Sequence, residues 1–277
     1  MTLAKATLAA SFAALCGAGA TAGQLQDRVD AGEAIRLGFA ASPPWAYQGD
    51  DGSAMGFVNA ITIGVLQKMG HENVEPVLTD WSALIPSLKA GRVDVITGGM
   101  YVLPERCANV DFSDPIGAFG DAFIVAAGNP KGIATYQDLI DQDLRMATVS
   151  GYNTVADGRA AGVADSQIMQ VPGPTEMLAA VRAGRADAGA TNTIEARLLS
   201  EADEQVDMTD PAGFEGRKKQ VVSVGFPQDD DAFREEFNAA LQEYLGSDEM
   251  METVAEYDYL PAFLPGDLTT EDACNAG

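Results

Sequence analysis

From residue 34 onward, short apolar runs alternate with stretches whose apolar positions recur at helical spacing. AIRLGFA (34–40), VEPVLTD (74–80) and VDVITGGM (93–100) read as strands, with helices in FVNAITIGVLQKMG and SALIPSLKAG between them. A second set has strands in DAFIVAAG (121–128), RMATVSG, QIMQVP (167–172) and ADAGATN, with YQDLIDQD (136–143) and helices TVADGRAAG and TEMLAAVRAG among them. Such alternation predicts α/β units on largely parallel sheets. The two sets have related parts: LIPSLKAGRVDVITGG (84–99) and EMLAAVRAGRADAGAT (176–191) share a helix, an Ala-Gly-Arg triplet and an acid-bearing strand. Shared element order predicts two similarly built lobes rather than one long sheet.

Past residue 220, VVSVGFP reads as one further strand. The segment DDDAFREEFNAALQEYLGS follows as an amphipathic helix, with Phe233, Phe237, Leu241 and Leu245 on one face and acids at its start, where the helix dipole favours them. The last thirty residues hold a second amphipathic helix and a Pro/Gly/Asp-rich tail. At the other end, one Lys5, an apolar run and the small-residue close Ala20-Thr21-Ala22 predict a secretory signal over residues 1–22. Cys16 offers a competing lipoprotein anchor, although Leu15 before it is bulky where a small residue is expected. Cleavage after Ala22 leaves Cys107 and Cys274, an even pair in an oxidising compartment, which reads as one disulfide with two inert thiols as the alternative. A bond between them would bring the tail back onto the first lobe. The second lobe would then be inserted in the first, through crossing segments near 116–121 and 219–223.

Composition narrows the function. With 17 Lys and Arg against 41 Asp and Glu, the net charge of −24 repels the phosphate backbone that a nucleic-acid binder must neutralise. It suits a hydrated surface in a salty medium, or a cationic partner. There is one histidine, His71, expected in a loop, and no P-loop, G-x-S-x-G, C-x-x-C or H-E-x-x-H. No metal site, cofactor or catalytic residue is expected.

Aromatics and one arginine stand out at segment ends, where open α/β sheets bind ligands. Trp45 follows the first strand in the stiff SPPWAY, Trp81 opens the helix after 74–80, and Tyr101 follows the strand that ends in Gly98-Gly99. Ring faces attract a delocalised or alkylated cation; ordinary core packing is the competing explanation. Arg106, in GGMYVLPERC, grips carboxylates through a two-point fork. Together they describe a site for a small zwitterion.

GGMYVLPERCANVDFSDP, with WSALIPSLKAGRVDV before it and RADA after it, resembles the extracytoplasmic solute-binding proteins that feed polar amino acids and related solutes to ABC importers. The resemblance spans essentially the whole chain after residue 22. It implies a type II periplasmic-binding-protein fold, α/β and two-lobed with two hinge crossings. Lobe one would comprise 23–118 and return over 222–277, with lobe two inserted at 119–221. It also implies that Arg106 holds the ligand carboxylate and Trp81 stacks on the ligand, within a binding set of Trp45, Trp81, Gly99, Tyr101, Arg106, Asn153, Thr154 and Asn192. Within the family, PPWAY, DWSALIP, GGMY, ERC, GNPKG and LPGDLTTEDAC are most similar to members that capture ectoine or hydroxyectoine. Two positions depart. Asn192 stands where amino-acid binders carry an aspartate for the α-ammonium, and Ser42 stands where ectoine binders carry an acid.

The resulting expectation is a monomeric periplasmic receptor, not an enzyme, that closes on a zwitterionic compatible solute and delivers it to an ABC permease without contacting nucleic acid. A polar amino acid or a betaine is the alternative ligand. A dehydratase of the same fold needs a general acid facing the cleft, and no acid in the rim segments is an obvious candidate. A sensor lobe of a signalling receptor is a third alternative.

Overall fold

The computed structural model describes residues 23–211 and 219–276 of the chain; the signal expected over 1–22 lies outside them. Two five-stranded sheets carry the architecture. In the first the spatial order is Val74–Leu78, Ile35–Phe39, Val95–Ile96, Gly225–Phe226, Asp111–Phe112. In the second it is Ile168–Val171, Met146–Val149, Ala188–Asn192, Asp121–Ala126, Val206–Met208. The first three strands of each are mutually parallel and the fourth is antiparallel to the third. One topology is therefore built twice, as the paired segments predicted.

The repeated Ala-Gly-Arg triplet has a physical explanation in each lobe. Helices Leu84–Lys89 and Pro174–Arg182 both end at an alanine followed by a glycine in the left-handed region, Gly91 at φ 61° and Gly184 at φ 65°. Glycine reaches that conformation without a Cβ penalty, so the chain turns at once toward the third strand. The acid that follows ties this strand to its parallel neighbour, Ile35–Phe39 in one lobe and Met146–Val149 in the other. Buried Asp94 accepts the Arg36 N–H at 2.8 Å and its guanidinium through Nε and Nη2, and Asp187 accepts the Arg145 N–H at 2.8 Å and Lys131 Nζ at 2.6 Å. The Asp94 carboxylate in turn holds the Arg36 guanidinium above its usual range.

Two adjacent crossings join the lobes. Gly117–Phe119 and Gln220–Val222 pair antiparallel as a two-stranded hinge, with only Gly120 between the first crossing and the second lobe's strand at Asp121. Here the structure departs from the expected single strand VVSVGFP. Its first half pairs in the hinge and its second half, Gly225–Phe226, in the first sheet. The ladder breaks at Ser223 and Val224, where the Val224 N–H donates to Ser113 Oγ instead of to a strand. VDVITGGM likewise keeps only Val95–Ile96 as strand, because Gly99 takes φ 79° and turns the chain.

Helix Asp231–Tyr244 buries Phe233, Phe237, Leu241 and Tyr244 in the first lobe's core, against helix Phe57–Lys68. His71, just past that second helix, stacks on Phe233 at 5.6 Å. The tail returns to the same lobe: Thr270–Cys274 packs on helix Pro104–Cys107, and Cys107 and Cys274 are bonded. The bond closes a loop of 167 residues directly after Arg106. Long closed loops restrict the unfolded chain most. Replacing both cysteines by serine should therefore cost about 2–4 kcal/mol in denaturant unfolding, with intact mass showing no free thiol before reduction. Equal midpoints with and without reduction would show that the staple adds nothing.

Candidate functional site

The lobes meet over a small cavity lined by Ser42, Trp45, Trp81, Gly98, Gly99, Tyr101, Arg106, Tyr152, Asn153 and Asn192. Most of these lie at or just past the end of a strand, the rim where an open sheet presents its loops, while Arg106 comes from the short helix Pro104–Cys107. The SPPW segment turns tightly, its Ser42 N–H donating to the Ala46 carbonyl at 2.8 Å and the Trp45 N–H to the Ser42 carbonyl at 2.8 Å. That turn places Trp45 over Gly99, close enough that a Cβ there would stand 2.5 Å from the indole. Trp45 also packs against Phe57 and Phe119 at 4.8 and 4.5 Å, so it serves as core and cavity wall together. Trp81 reaches across the cleft: its Nε1 donates to the Gly151 carbonyl at 3.0 Å, and Tyr152 meets it edge-on at 5.1 Å.

Two buried charges of opposite sign stand here, Arg106 in the cavity wall and Glu195 directly behind the lining residues Ser42 and Tyr152. Arg106, 8% exposed, donates to the Tyr101 carbonyl at 2.8 Å and the Gly151 carbonyl at 2.9 Å, and its guanidinium carbon lies 5.9 Å from the Trp81 ring. Burial pulls its pKa down to about 10. Glu195, 2% exposed, accepts from Ser42 Oγ at 2.8 Å across the cleft, from Thr191 Oγ1, and from Tyr152 Oη at 3.4 Å. Burial raises its carboxyl above the ordinary range, and the three hydroxyls offset only part of that rise. Among the described residues neither Arg106 nor Glu195 forms an ion pair. A buried charge without a counter-charge is costly. One in the cavity wall and one directly behind it are suited to a molecule that carries both signs.

The bacterial extracellular solute-binding proteins, family 3, match residues 35–258. The chain belongs to that family. A probable amino-acid ABC transporter periplasmic-binding protein of Sinorhizobium fredii is 29% identical over 279 residues, covering 98% of this chain and 92% of the relative. The octopine-binding periplasmic protein of Rhizobium meliloti is 28% identical over 221 residues, 71% of this chain and 74% of that one. Among solved structures, EhuB in complex with hydroxyectoine superposes with a TM-score of 0.82 at 28% identity, covering 92% of this chain and 98% of that chain. These relatives are binding proteins, and membership in this extracellular family implies a periplasmic location for a receptor that works with an ABC importer.

Against the family pattern, the structure brings Trp45, Trp81, Gly99, Tyr101, Arg106, Asn153 and Asn192 to one cavity. Thr154 does not line it, because its buried hydroxyl is engaged with Thr148 Oγ1 and the Ala190 carbonyl. Asn192 has a second task. Its Oδ1 accepts the Glu195 N–H at 2.9 Å and so caps helix Thr193–Ala202, while Asn153 Nδ2 donates to Asp121 at 2.9 Å and Asp157 at 3.0 Å.

Sequence reasoning missed two residues. Tyr152 follows the first parallel strand of its lobe as Trp45 follows that of the other, so the same rule applied twice would have found it. Glu195 was hidden by local grammar: Asn192-Thr-Ile-Glu195 has the form of a capping box, whose glutamate turns back on the cap residue. Here only the asparagine caps, and the carboxylate crosses to Ser42. Sequence reasoning found no obvious acid in the rim segments; the structure puts Glu195 one hydrogen bond behind the cavity lining, at Ser42 and Tyr152.

Gly99 is fixed twice over, by its φ of 79° and by the indole above it. Gly99→Ala should displace Trp45 and lower stability by about 1–3 kcal/mol, read as a fall in unfolding midpoint with quenched or shifted tryptophan fluorescence.

Proposed function

We propose that this solute-binding protein captures a small zwitterion, with ectoine or hydroxyectoine as the best-supported ligands, and presents it to an ABC permease. The observation that carries the reading is the pair of buried, unpaired and opposite charges, Arg106 and Glu195, beside a cavity walled by Trp45, Trp81 and Tyr101. Arg106 would take the carboxylate with N–H groups of its fork, and the acid and rings would take the cationic end. The hydroxyectoine complex of a structural relative supports the same ligand class.

The cavity has about 20 Å³ of free room, beside a groove of about 520 Å³ that shares Ser42, Trp81 and Tyr152. Room on that scale holds about one water. Admission of a solute therefore requires the lobes to part, breaking the contacts of Trp81 and Arg106 with Gly151 and of Ser42 with Glu195. Hinge closure of this kind selects among open and closed states according to the ligand's contacts with both lobes. In small-angle scattering the radius of gyration should fall when saturating ectoine is added; an unchanged radius with calorimetrically confirmed binding would overturn closure.

Arg106→Ala should weaken ectoine by about 2–5 kcal/mol, since the ligand carboxylate would be buried without its partner, and Arg106→Lys should recover part of that loss. Trp81→Ala should remove about 0.5–2 kcal/mol. Calorimetry against ectoine, hydroxyectoine and L-glutamine reads all three variants. Tighter binding of glutamine than of ectoine would replace the ligand and leave the receptor. Because a raised carboxyl such as Glu195 also meets one requirement of a general acid, a turnover assay with prephenate-like acids completes the test. Product formation would favour the dehydratase.

A further inference from the structure

Glu195 shows which kind of cation the cleft accepts, on the assumption that the zwitterion reading above holds. A carboxylate has about four lone-pair sites, and here two hydroxyls bind it closely, from Ser42 at 2.8 Å and from Thr191, while Tyr152 at 3.4 Å is a weak third. Acceptor capacity therefore remains, and no described cation uses it. The aromatic rings give the complementary information. A cage for an alkylated cation presents several free ring faces to one point, but the Trp81 ring already has the Arg106 guanidinium at 5.9 Å and meets Tyr152 edge-on at 5.1 Å. Trp45 is further committed to Phe57 and Phe119. The dominant attraction for positive charge is thus a hydrogen-bond acceptor, with ring surface secondary.

We infer that Glu195 is the specificity-determining acid of the cleft and that it selects a cation bearing N–H donors, such as an amidinium, guanidinium or primary ammonium, over a quaternary ammonium. It stands on the second lobe, three residues past the end of strand Ala188–Asn192, and faces Ser42 of the first. A ligand N–H that shares its carboxylate therefore reaches the point where the lobes meet. Ser42 is accordingly a positioning residue whose hydroxyl orients Oε1 from the opposite lobe.

Calorimetry of the wild type, Glu195→Gln and Glu195→Asp with ectoine and with glycine betaine tests this. The wild type should prefer ectoine to glycine betaine. Glu195→Gln, near-isosteric and melting cooperatively, should weaken ectoine at least about tenfold, and Glu195→Asp, which keeps the charge, should lose less than Glu195→Gln. A folded Glu195→Gln variant that loses less than tenfold, or a wild type that prefers glycine betaine, overturns the inference. A wild type that binds none of ectoine, hydroxyectoine, L-glutamine or glycine betaine instead overturns the zwitterion reading itself. Should Glu195→Gln fail to fold, a pH series on the wild type decides. The ionisable groups around Glu195 are Tyr152 and Tyr101, both held neutral by burial, with Arg106 and Asp121 beyond them. Ectoine keeps its positive charge on mild acidification, so its affinity should drop as Glu195 takes up a proton, and a flat profile down to ordinary carboxylate pH overturns the inference.

Discussion

The burial of Arg106 and Glu195 without partners of opposite charge is the constraint on which the cleft depends. Each has been removed from water and given only neutral hydrogen-bond partners: two carbonyls for the guanidinium, three hydroxyls for the carboxylate. Neutral dipoles offset part of the desolvation cost, and an opposite charge would offset far more. The two groups belong to different lobes, so the cost arises where the lobes come together. A ligand that carries both signs relieves it at both ends in one event, whereas an ion of either sign relieves one end only.

The scaffold makes such placement possible because one topology is used twice. In each lobe the first and third strands of the parallel triplet deliver loops to the same rim, and the hinge of Gly117–Phe119 with Gln220–Val222 turns the two rims toward each other. Arg106 is held from behind: the disulfide at Cys107 and the returning tail fix the short helix that presents it. Glu195 is held by the Asn192 cap on its own N–H and by Thr191 on its carboxylate. Long charged side chains are thereby kept in single orientations before a ligand arrives, and ordering entropy is settled in folding rather than in binding.

Much of this was legible along the chain. Strand and helix alternation predicted the α/β lobes, and the Ala-Gly-Arg segments predicted their kinship, because a turn that needs positive φ and an acid that ties two strands leave the same letters in both places. Trp45, Trp81 and Tyr101 were legible as candidates because they follow strands in sequence, and Arg106 because it stands just after Tyr101 in GGMYVLPERC. Glu195 was not. Its position relative to Asn192 satisfies a local helix-start pattern, and only a contact spanning 153 residues shows that its carboxylate has another use. The division of VVSVGFP between hinge and sheet was hidden for a related reason: periodicity reports that a segment is extended, and says nothing of which partner it pairs with.

Proton linkage sets stability and binding against each other at Glu195. Its carboxyl is raised by burial, so the cost of its buried charge is present above that raised titration and is relieved as the pH falls through it. Acidification therefore favours the ligand-free closed arrangement, while a cationic ligand loses its counter-charge over the same range. A glutamine at 195 would mimic the protonated state at every pH, which makes the native acid a group retained at some cost to the empty fold. Under the proposed zwitterion reading, that cost would act against closure of an empty cleft, and the charge of a cationic ligand would offset it on binding.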